Sequence, residues 1–166
     1  MLLLLLACLD HTPAPGGDDE SFVAMQADFA SFKRWEAIPV ATADTGHVAG
    51  DRVVYINNRP SVEEIVFPVG TMFVKTIAWE DGTDIHAMVK RGGGYNADGA
   101  FGWEWFELVE SEDGTPVIRW RGEEAPEPGS YGADEADTAE TVSGDCNVCH
   151  GAFAANDYVH SVTLGE

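Results

Sequence analysis

The feature that most constrains this chain is a pair of cysteines followed directly by a histidine, near the C-terminal end. Cys146 and Cys149 are three positions apart, and His150 comes next. This spacing is the attachment pattern of c-type haem. On one helical turn both thiols can reach the haem vinyl groups, while the adjacent imidazole ligates the iron. We therefore expect one covalent haem c, with His150 as the metal ligand.

Two other kinds of site also use closely spaced cysteines. A zinc site would need a second Cys/His pair, and we find no such pair in this chain. A thioredoxin-like redox pair would be expected in a βαβ setting, which the sequence around the motif does not predict. Both alternatives lack their partner residues, so the motif favours haem.

The composition excludes some partners. The chain has 166 residues, enough for one domain with its own core. Its 29 acidic and 9 basic residues give a formal net charge of -20, which would repel nucleic acid and anionic lipid. Before the haem motif we predict a solvated acidic face rather than a docking patch for a basic redox partner. Its members are Glu107, Glu110, Glu112, Asp113, Glu123, Glu124, Glu127, Asp134, Glu135, Asp137 and Glu140.

The third cysteine, Cys8, indicates export. It ends an apolar run that closes in Leu-Leu-Ala-Cys, which resembles the bacterial lipoprotein signal in which the cysteine is lipidated. An ordinary signal peptide is the alternative, and it predicts the same compartment. We expect a periplasmic or outer-envelope protein that meets the membrane only through a lipid on Cys8. Residues 1–8 are then a signal segment, 9–20 a flexible tether, and 21–166 a single haem domain.

Hydrophobic periodicity predicts an α+β fold that is mainly β. Phe22, Met25, Phe29 and Phe32 recur at helical spacing and predict a helix over 21–35. The period then changes to two, which predicts an antiparallel meander of about five strands. We expect an irregular acidic wrap after it, with one helical turn at 134–140, and a short helix that opens at the haem motif. The predicted strands are 52–57, 71–79, 84–91, 102–109 and 117–120.

The longest predicted strand carries a lysine on an apolar face. Alternation places Lys75 beside Phe73, Ile77 and Trp79. Burying an ammonium group without a partner is costly, so either the stem carries the charge to water or the amine is neutral or used. On these grounds alone we favour the first alternative, in which the stem of Lys75 carries the charged amine to water.

Two other residues have open roles at this point. His86 is a surface histidine, a sixth iron ligand or a proton relay over an open haem. Arg52 is a surface charge or a cation directed at a bound anionic intermediate. No methionine follows His150, so the sixth coordination position of the iron must be filled from the sheet or left open.

The ordered combination of motifs resembles the cytochrome P-460 and cytochrome c-prime-beta family, over most of the chain from Arg52 to Val159. The resemblance implies a small, mainly antiparallel β protein, a homodimer, with one covalent haem whose iron is five-coordinate. The matching motifs are Arg52-x-Val54-Tyr55-Ile56-Asn57, Phe67-x-x-Gly70-Thr71-x-x-Val74-Lys75, Val89-Lys90, Gly102-Trp103, the haem motif, and Asp157-x-Val159.

The resemblance also implies roles for individual residues. In the hydroxylamine-oxidising members a lysine at the position of Lys75 is covalently joined to the porphyrin. Arg52 matches a distal-pocket arginine, and His86 stands where those enzymes carry a glutamate. The implied activity is oxidation of hydroxylamine to nitrous oxide or nitric oxide, with electrons passed to an exported carrier protein. The alternatives are a non-enzymatic nitric-oxide binder of the c-prime-beta kind, and a low-spin electron carrier with His86 as sixth ligand.

Overall fold

The computed structural model describes residues 20–40, 50–80, 82–123 and 146–164. The predicted signal segment, nearly all of the predicted tether and the helical turn predicted at 134–140 lie outside the described residues. Within the described residues, no helix is both long enough and apolar enough to cross a bilayer.

The core of the fold is one antiparallel sheet in which each strand pairs with the next along the chain. The mainly β prediction is therefore confirmed. The sheet has six strands rather than about five. They are β1 (Glu36–Val40), β2 (Asp51–Ile56), β3 (Met72–Trp79), β4 (Gly82–Lys90), β5 (Trp103–Glu110) and β6 (Pro116–Gly122).

The strand that the sequence did not predict is β1. It is short, contains Pro39 and follows directly on a helical segment, so its alternation is weak. Proline is tolerated in a sheet on edge strands, and β1 is an edge strand that pairs only with β2. Pairing with β2, not local pattern, makes this segment a strand.

The prediction of one helix over 21–35 is wrong, because the helix in the structure is much shorter. Only α1 (Gln26–Phe29) is α-helical, and a 3-10 turn follows at Phe32–Arg34. The backbone N–H of Phe22 instead donates to the carbonyl of Arg91 at 2.8 Å, which draws the chain before α1 alongside the sheet. Phe29 and Phe32 are nevertheless buried, so part of the predicted apolar stripe does face the core.

Both faces of the sheet are covered. The face toward α1, here called the N-terminal face, carries Met72, Val74, Ile85, Ala87, Val89, Phe106 and Leu108, which pack on Phe29 and Phe32. The other face, here called the C-terminal face, carries Val54, Ile56, Phe73, Met88, Trp103 and Trp105, which pack on Val159 and Val162. Successive side chains point to opposite faces, so the central strands are buried almost without interruption.

The C-terminal segment begins with α2 (Cys146–Gly151), so the haem motif opens a short helix as predicted. A 3-10 turn follows at Ala154–Asn156. Asp157 and Tyr158 then adopt left-handed backbone conformations, with φ of 50° and 67°. These residues reverse the chain and return it to the C-terminal face of the sheet, where Val159 is buried.

Candidate haem site

Three titratable side chains form a row across the C-terminal face of the sheet. Lys75 on β3 is directly opposite His86 on β4, and His86 is directly opposite Glu107 on β5. Opposed residues on one face of an antiparallel pair have Cβ atoms about 4.5–5.5 Å apart. Val54 and Trp120 extend the row on its two sides. The structure thus brings together two predicted site residues and one glutamate.

The surroundings of Lys75 disfavour a charged amine. Lys75 is half-buried, and burial lowers its pKa to about 7, with the positive charge of Arg52 as the second cause. A substantial fraction of the amine is therefore neutral at neutral pH, and a neutral amine is a nucleophile. The residue fits the second alternative from the sequence, an amine that is neutral or used.

His86 and Arg52 are not surface residues. Only 8% of His86 and 7% of Arg52 is exposed, which rules out the surface alternatives for both. Burial lowers the pKa of His86 to about 3, and the charge of Lys75 acts in the same direction. His86 is therefore a neutral imidazole at neutral pH. Arg52 lies on the same face of β2 as Val54, one row away from Lys75.

Sequence reasoning assigned Glu107 to a solvated acidic face, and this was wrong for that residue. Glu107 is 5% exposed, and its Oε1 accepts a hydrogen bond from Nη1 of Arg119 at 2.9 Å. The register between β5 and β6 shifts at this point and skips Arg119, which leaves its side chain available to Glu107. The sequence feature that could have predicted the burial of Glu107 is the alternation along β5, because Glu107 follows Trp103 and Trp105 at a period of two.

The ring of His150 is held in one tautomer. Its Nδ1 lies 2.7 Å from the carbonyl oxygen of Tyr158. A carbonyl can only accept, so Nδ1 carries the proton and Nε2 carries the lone pair that a metal would bind. The ring packs on Trp105, with centroids 4.7 Å apart and planes at 48°. Burial lowers the pKa of His150 to about 4, although the bond to Tyr158 opposes this shift.

A buried ion pair positions the carbonyl that His150 uses. Oδ1 of Asp157 accepts from Nζ of Lys90 at 2.6 Å, and Oδ2 accepts from the backbone N–H of Phe67 at 2.8 Å. The carbonyl of Asp157 accepts from Nε1 of Trp103 at 2.8 Å. Asp157 is thereby fixed at three atoms, and Tyr158 is the next residue. Lys90 and Asp157 belong to motifs that the sequence analysis noted, but only the structure joins them.

Asn147, the first residue between the two cysteines, fixes α2 to the sheet. Its Oδ1 accepts from Nε1 of Trp105 at 3.0 Å, from the N–H of Ala100 at 3.1 Å and from Nδ2 of Asn96 at 2.8 Å. Its Nδ2 donates to Oδ1 of Asn96 at 3.1 Å and to the carbonyl of Glu123 at 3.1 Å. Nothing in the sequence signalled this role, because the haem motif leaves the position unspecified.

The haem motif and the polar row face the same space. The thiols of Cys146 and Cys149 both affect the pKa of Lys75, and Lys75 in turn affects the pKa of His150. Cys146 is half-buried at the margin of the apolar cluster on the C-terminal face, whereas Cys149 is exposed. All six predicted site residues, Arg52, Lys75, His86, Cys146, Cys149 and His150, thus lie on one side of the sheet.

The donor set fits the group that the motif predicts. Two reduced thiols lie within one turn of α2, and an oriented imidazole follows with Nε2 available. These are the atoms that a c-type haem requires. Among residues 20–40, 50–80, 82–123 and 146–164, no cluster of three or more His, Cys, Asp or Glu side chains is arranged to hold a metal ion by itself.

No significant match to this chain was found among known protein families, curated proteins or solved structures. The resemblance to the cytochrome P-460 and cytochrome c-prime-beta family therefore stays a prediction from the sequence motifs.

Proposed function

We propose that this chain holds one haem c through Cys146, Cys149 and His150 and oxidises hydroxylamine. The observation that carries the proposal is that Lys75, His86 and Arg52 lie on the sheet face that looks toward α2, where His86 and Arg52 are buried and Lys75 is half-buried. Desolvated titratable groups of this kind are characteristic of chemical sites. A merely structural use of the motif would not require them.

The haem would supply the site that binds substrate nitrogen and accepts electrons. The residues of the chain would transfer protons and stabilise charge on the bound substrate. Two hydroxylamine molecules yield nitrous oxide and water with the loss of four protons and four electrons, so a base beside the substrate is needed. His86 is neutral, as a proton acceptor must be, and the buried guanidinium of Arg52 lies on the same face, where it would contact an anionic nitrogen species. The electrons would pass to an exported carrier protein.

Lys75 is the residue that would distinguish an enzyme from a simple haem protein. Burial lowers the pKa of its amine to about 7, and the amine faces the helix that would carry the macrocycle. These properties suit the covalent lysine–porphyrin link that the family resemblance implies. The proposal therefore assigns Lys75 two connected roles, attachment to the macrocycle and control of its electronic properties.

A second candidate function is electron transfer with His86 as the sixth iron ligand. The observation in its favour is again the low pKa of His86, because metals bind neutral imidazole. His86→Glu separates the two candidates. If His86 is a base, the iron is high-spin in both proteins and hydroxylamine turnover is kept or raised. If His86 is a ligand, the substitution converts low-spin iron to high-spin iron.

One absorption spectrum of the purified holoprotein tests the main proposal. A red-shifted ferrous Soret band, together with steady consumption of hydroxylamine, is the expected result. An ordinary high-spin spectrum without turnover would replace the proposal with a nitric-oxide-binding protein. A colourless protein from cells that attach haem c to a control cytochrome would refute both.

A further inference from the structure

A cleft lies on the N-terminal face of the sheet, where the segment around α1 meets the connection from β2 to β3. Its volume is about 400 Å³, within the range of small-molecule sites. Phe22, Trp35 and Met72 line it, and all three belong to the apolar cluster of that face. Lys75 and His86 lie on the opposite face of the sheet, so the cleft is separate from the candidate haem site.

The walls of the cleft are held by hydrogen bonds within the protein. Asn57, directly after β2, donates from Nδ2 to the carbonyl of Gly70 at 2.9 Å and accepts at Oδ1 from the N–H of Met72 at 2.8 Å. The N–H of Phe22 donates to the carbonyl of Arg91 at 2.8 Å. A Cβ atom on Gly70 would lie 3.8 Å from the Phe22 ring, so this ring packs on the backbone there. A cleft that is formed in advance lowers the entropic cost of binding.

The side chains that line the cleft combine two aromatic rings with a carboxylate. The rings belong to Phe22 and Trp35, and both residues are half-buried. Among the described residues that line the cleft, the charged one is Asp28. Its Oδ2 accepts from the N–H of Met25 at 2.6 Å, which fixes the carboxylate at the first turn of α1. A carboxylate can accept about four hydrogen bonds, so this contact leaves acceptor capacity for a ligand.

Aromatic rings beside a carboxylate suit a cation that also carries apolar groups. The face of an aromatic ring attracts a cation, most strongly in tryptophan, and the carboxylate adds the attraction of opposite charges. The formal net charge of -20 acts in the same direction, because a strongly acidic protein raises the concentration of cations near its surface. An anion would be repelled by the carboxylate and by the whole chain.

We propose that this cleft binds a small organic cation. The ammonium group of the ligand contacts the carboxylate of Asp28 and the ring of Trp35, and its apolar groups pack on Phe22. The inference goes beyond hydroxylamine oxidation and does not depend on it, because no residue of the candidate haem site takes part.

The test compares choline with the neutral dimethylbutanol in which carbon replaces its nitrogen. The two molecules have nearly the same shape and differ in charge. Each is titrated into the wild-type holoprotein, and the NMR signal of the Trp35 ring N–H, assigned from Trp35→Phe, follows binding. The ring N–H of Trp105, on the C-terminal face, is the internal control. We expect choline to shift the Trp35 signal saturably, and the neutral analogue to bind at least about fivefold more weakly.

Two outcomes of this titration would overturn the proposal. Equal affinity for the two molecules would show that the cleft does not select a cation. Absence of a saturable shift of the Trp35 signal with choline would show that the cleft is not a site for such a ligand. Hydroxylamine turnover is measured separately, so failure of the proposed function would leave either result standing.

Asp28→Asn and Asp51→Asn locate the charge that the ligand uses. Both substitutions remove one negative charge, but Asp51 is exposed at the far end of β2 from Asn57. An asparagine at position 28 can still accept the N–H of Met25, so the start of α1 should be kept. We expect Asp28→Asn to weaken choline binding about fivefold or more, and Asp51→Asn to retain the wild-type affinity. The same choline affinity in both variants would overturn the assigned contact with Asp28.

Discussion

Asp157 accepts a hydrogen bond from Lys90 at 2.6 Å inside the protein, and this pair joins β4 to the segment that follows α2. Both side chains are less than 10% exposed. The pair fixes the residue next to Tyr158, whose carbonyl orients His150. A tertiary contact between groups 67 positions apart thus helps to hold the segment whose carbonyl orients His150.

Asp157→Asn should be strongly destabilising. Removal of the carboxylate charge leaves the ammonium of Lys90 buried with the carbonyl of Phe101 but without an ionic partner, and breaking a buried ion pair in this way costs about 3–5 kcal/mol. Urea unfolding should show this as a lower midpoint with an unchanged slope. The matched control is Glu36→Gln, which breaks the exposed pair with Arg59 and should leave the midpoint unchanged. Equal shifts of the urea midpoint in the two variants would show that the buried pair stabilises the protein no more than the exposed pair does.

Gly99→Ala should displace α2. A Cβ atom at this position would lie 2.3 Å from Nδ2 of Asn147 and 2.4 Å from Oδ1 of Asn96, so the Asn147 hydrogen bonds must rearrange. Overpacking of this kind typically costs about 1–3 kcal/mol. The control is Gly151→Ala within α2, where a Cβ atom meets nothing within 4 Å. Measured by urea unfolding, Gly151→Ala should keep wild-type stability. Destabilisation of both variants alike would contradict the steric argument.

Lys75→Ala should leave haem attached and abolish hydroxylamine turnover. The thiols of Cys146 and Cys149 remain in place, whereas the amine that faces them is removed. Digestion followed by mass spectrometry should find haem on the peptide with Cys146 in both proteins, and on the peptide with Lys75 only in the wild type. Lys33→Ala, a lysine on the surface, is the control and should retain full activity. Undiminished turnover in Lys75→Ala would remove the assigned role.

The stability of the haem-free protein should rise between about pH 7 and pH 10.5 because of Lys75. Its folded pKa is lowered to about 7, whereas the unfolded value is 10.5. In this window the unfolded chain binds more protons at Lys75, so stability rises with pH by up to about 1.4 kcal/mol per unit. The contribution is complete above the unfolded pKa and is lost as pH falls through the folded one.

Lys75→Met tests this linkage, because a methionine of similar length cannot titrate. The free energy of unfolding, measured in urea at a series of pH values, should rise less steeply with pH in the variant. His86 and His150, whose pKa values Lys75 also lowers, stay neutral in the folded protein above pH 7, so in this window the difference between the two proteins reports on Lys75. Parallel curves for the two proteins would mean that the Lys75 amine keeps its ordinary pKa.

Local patterns in the sequence determined much of this protein. A period of two predicted β2 to β6, and cysteine spacing predicted the short helix that begins at Cys146. These features depend on residues within a few positions of one another, so a single sequence contains them. The alternation along β3 likewise placed Lys75 on the same face as Phe73, as the sheet register shows.

Only the tertiary structure decided the features that depend on pairing between distant segments. The backbone bond from Phe22 to Arg91 shortened the predicted helix, and pairing with β2 made a strand of Glu36–Val40. Register placed Glu107 opposite His86 rather than in solvent. Hydrogen bonds and burial between residues far apart in the chain have no local period, so the sequence alone could not supply them.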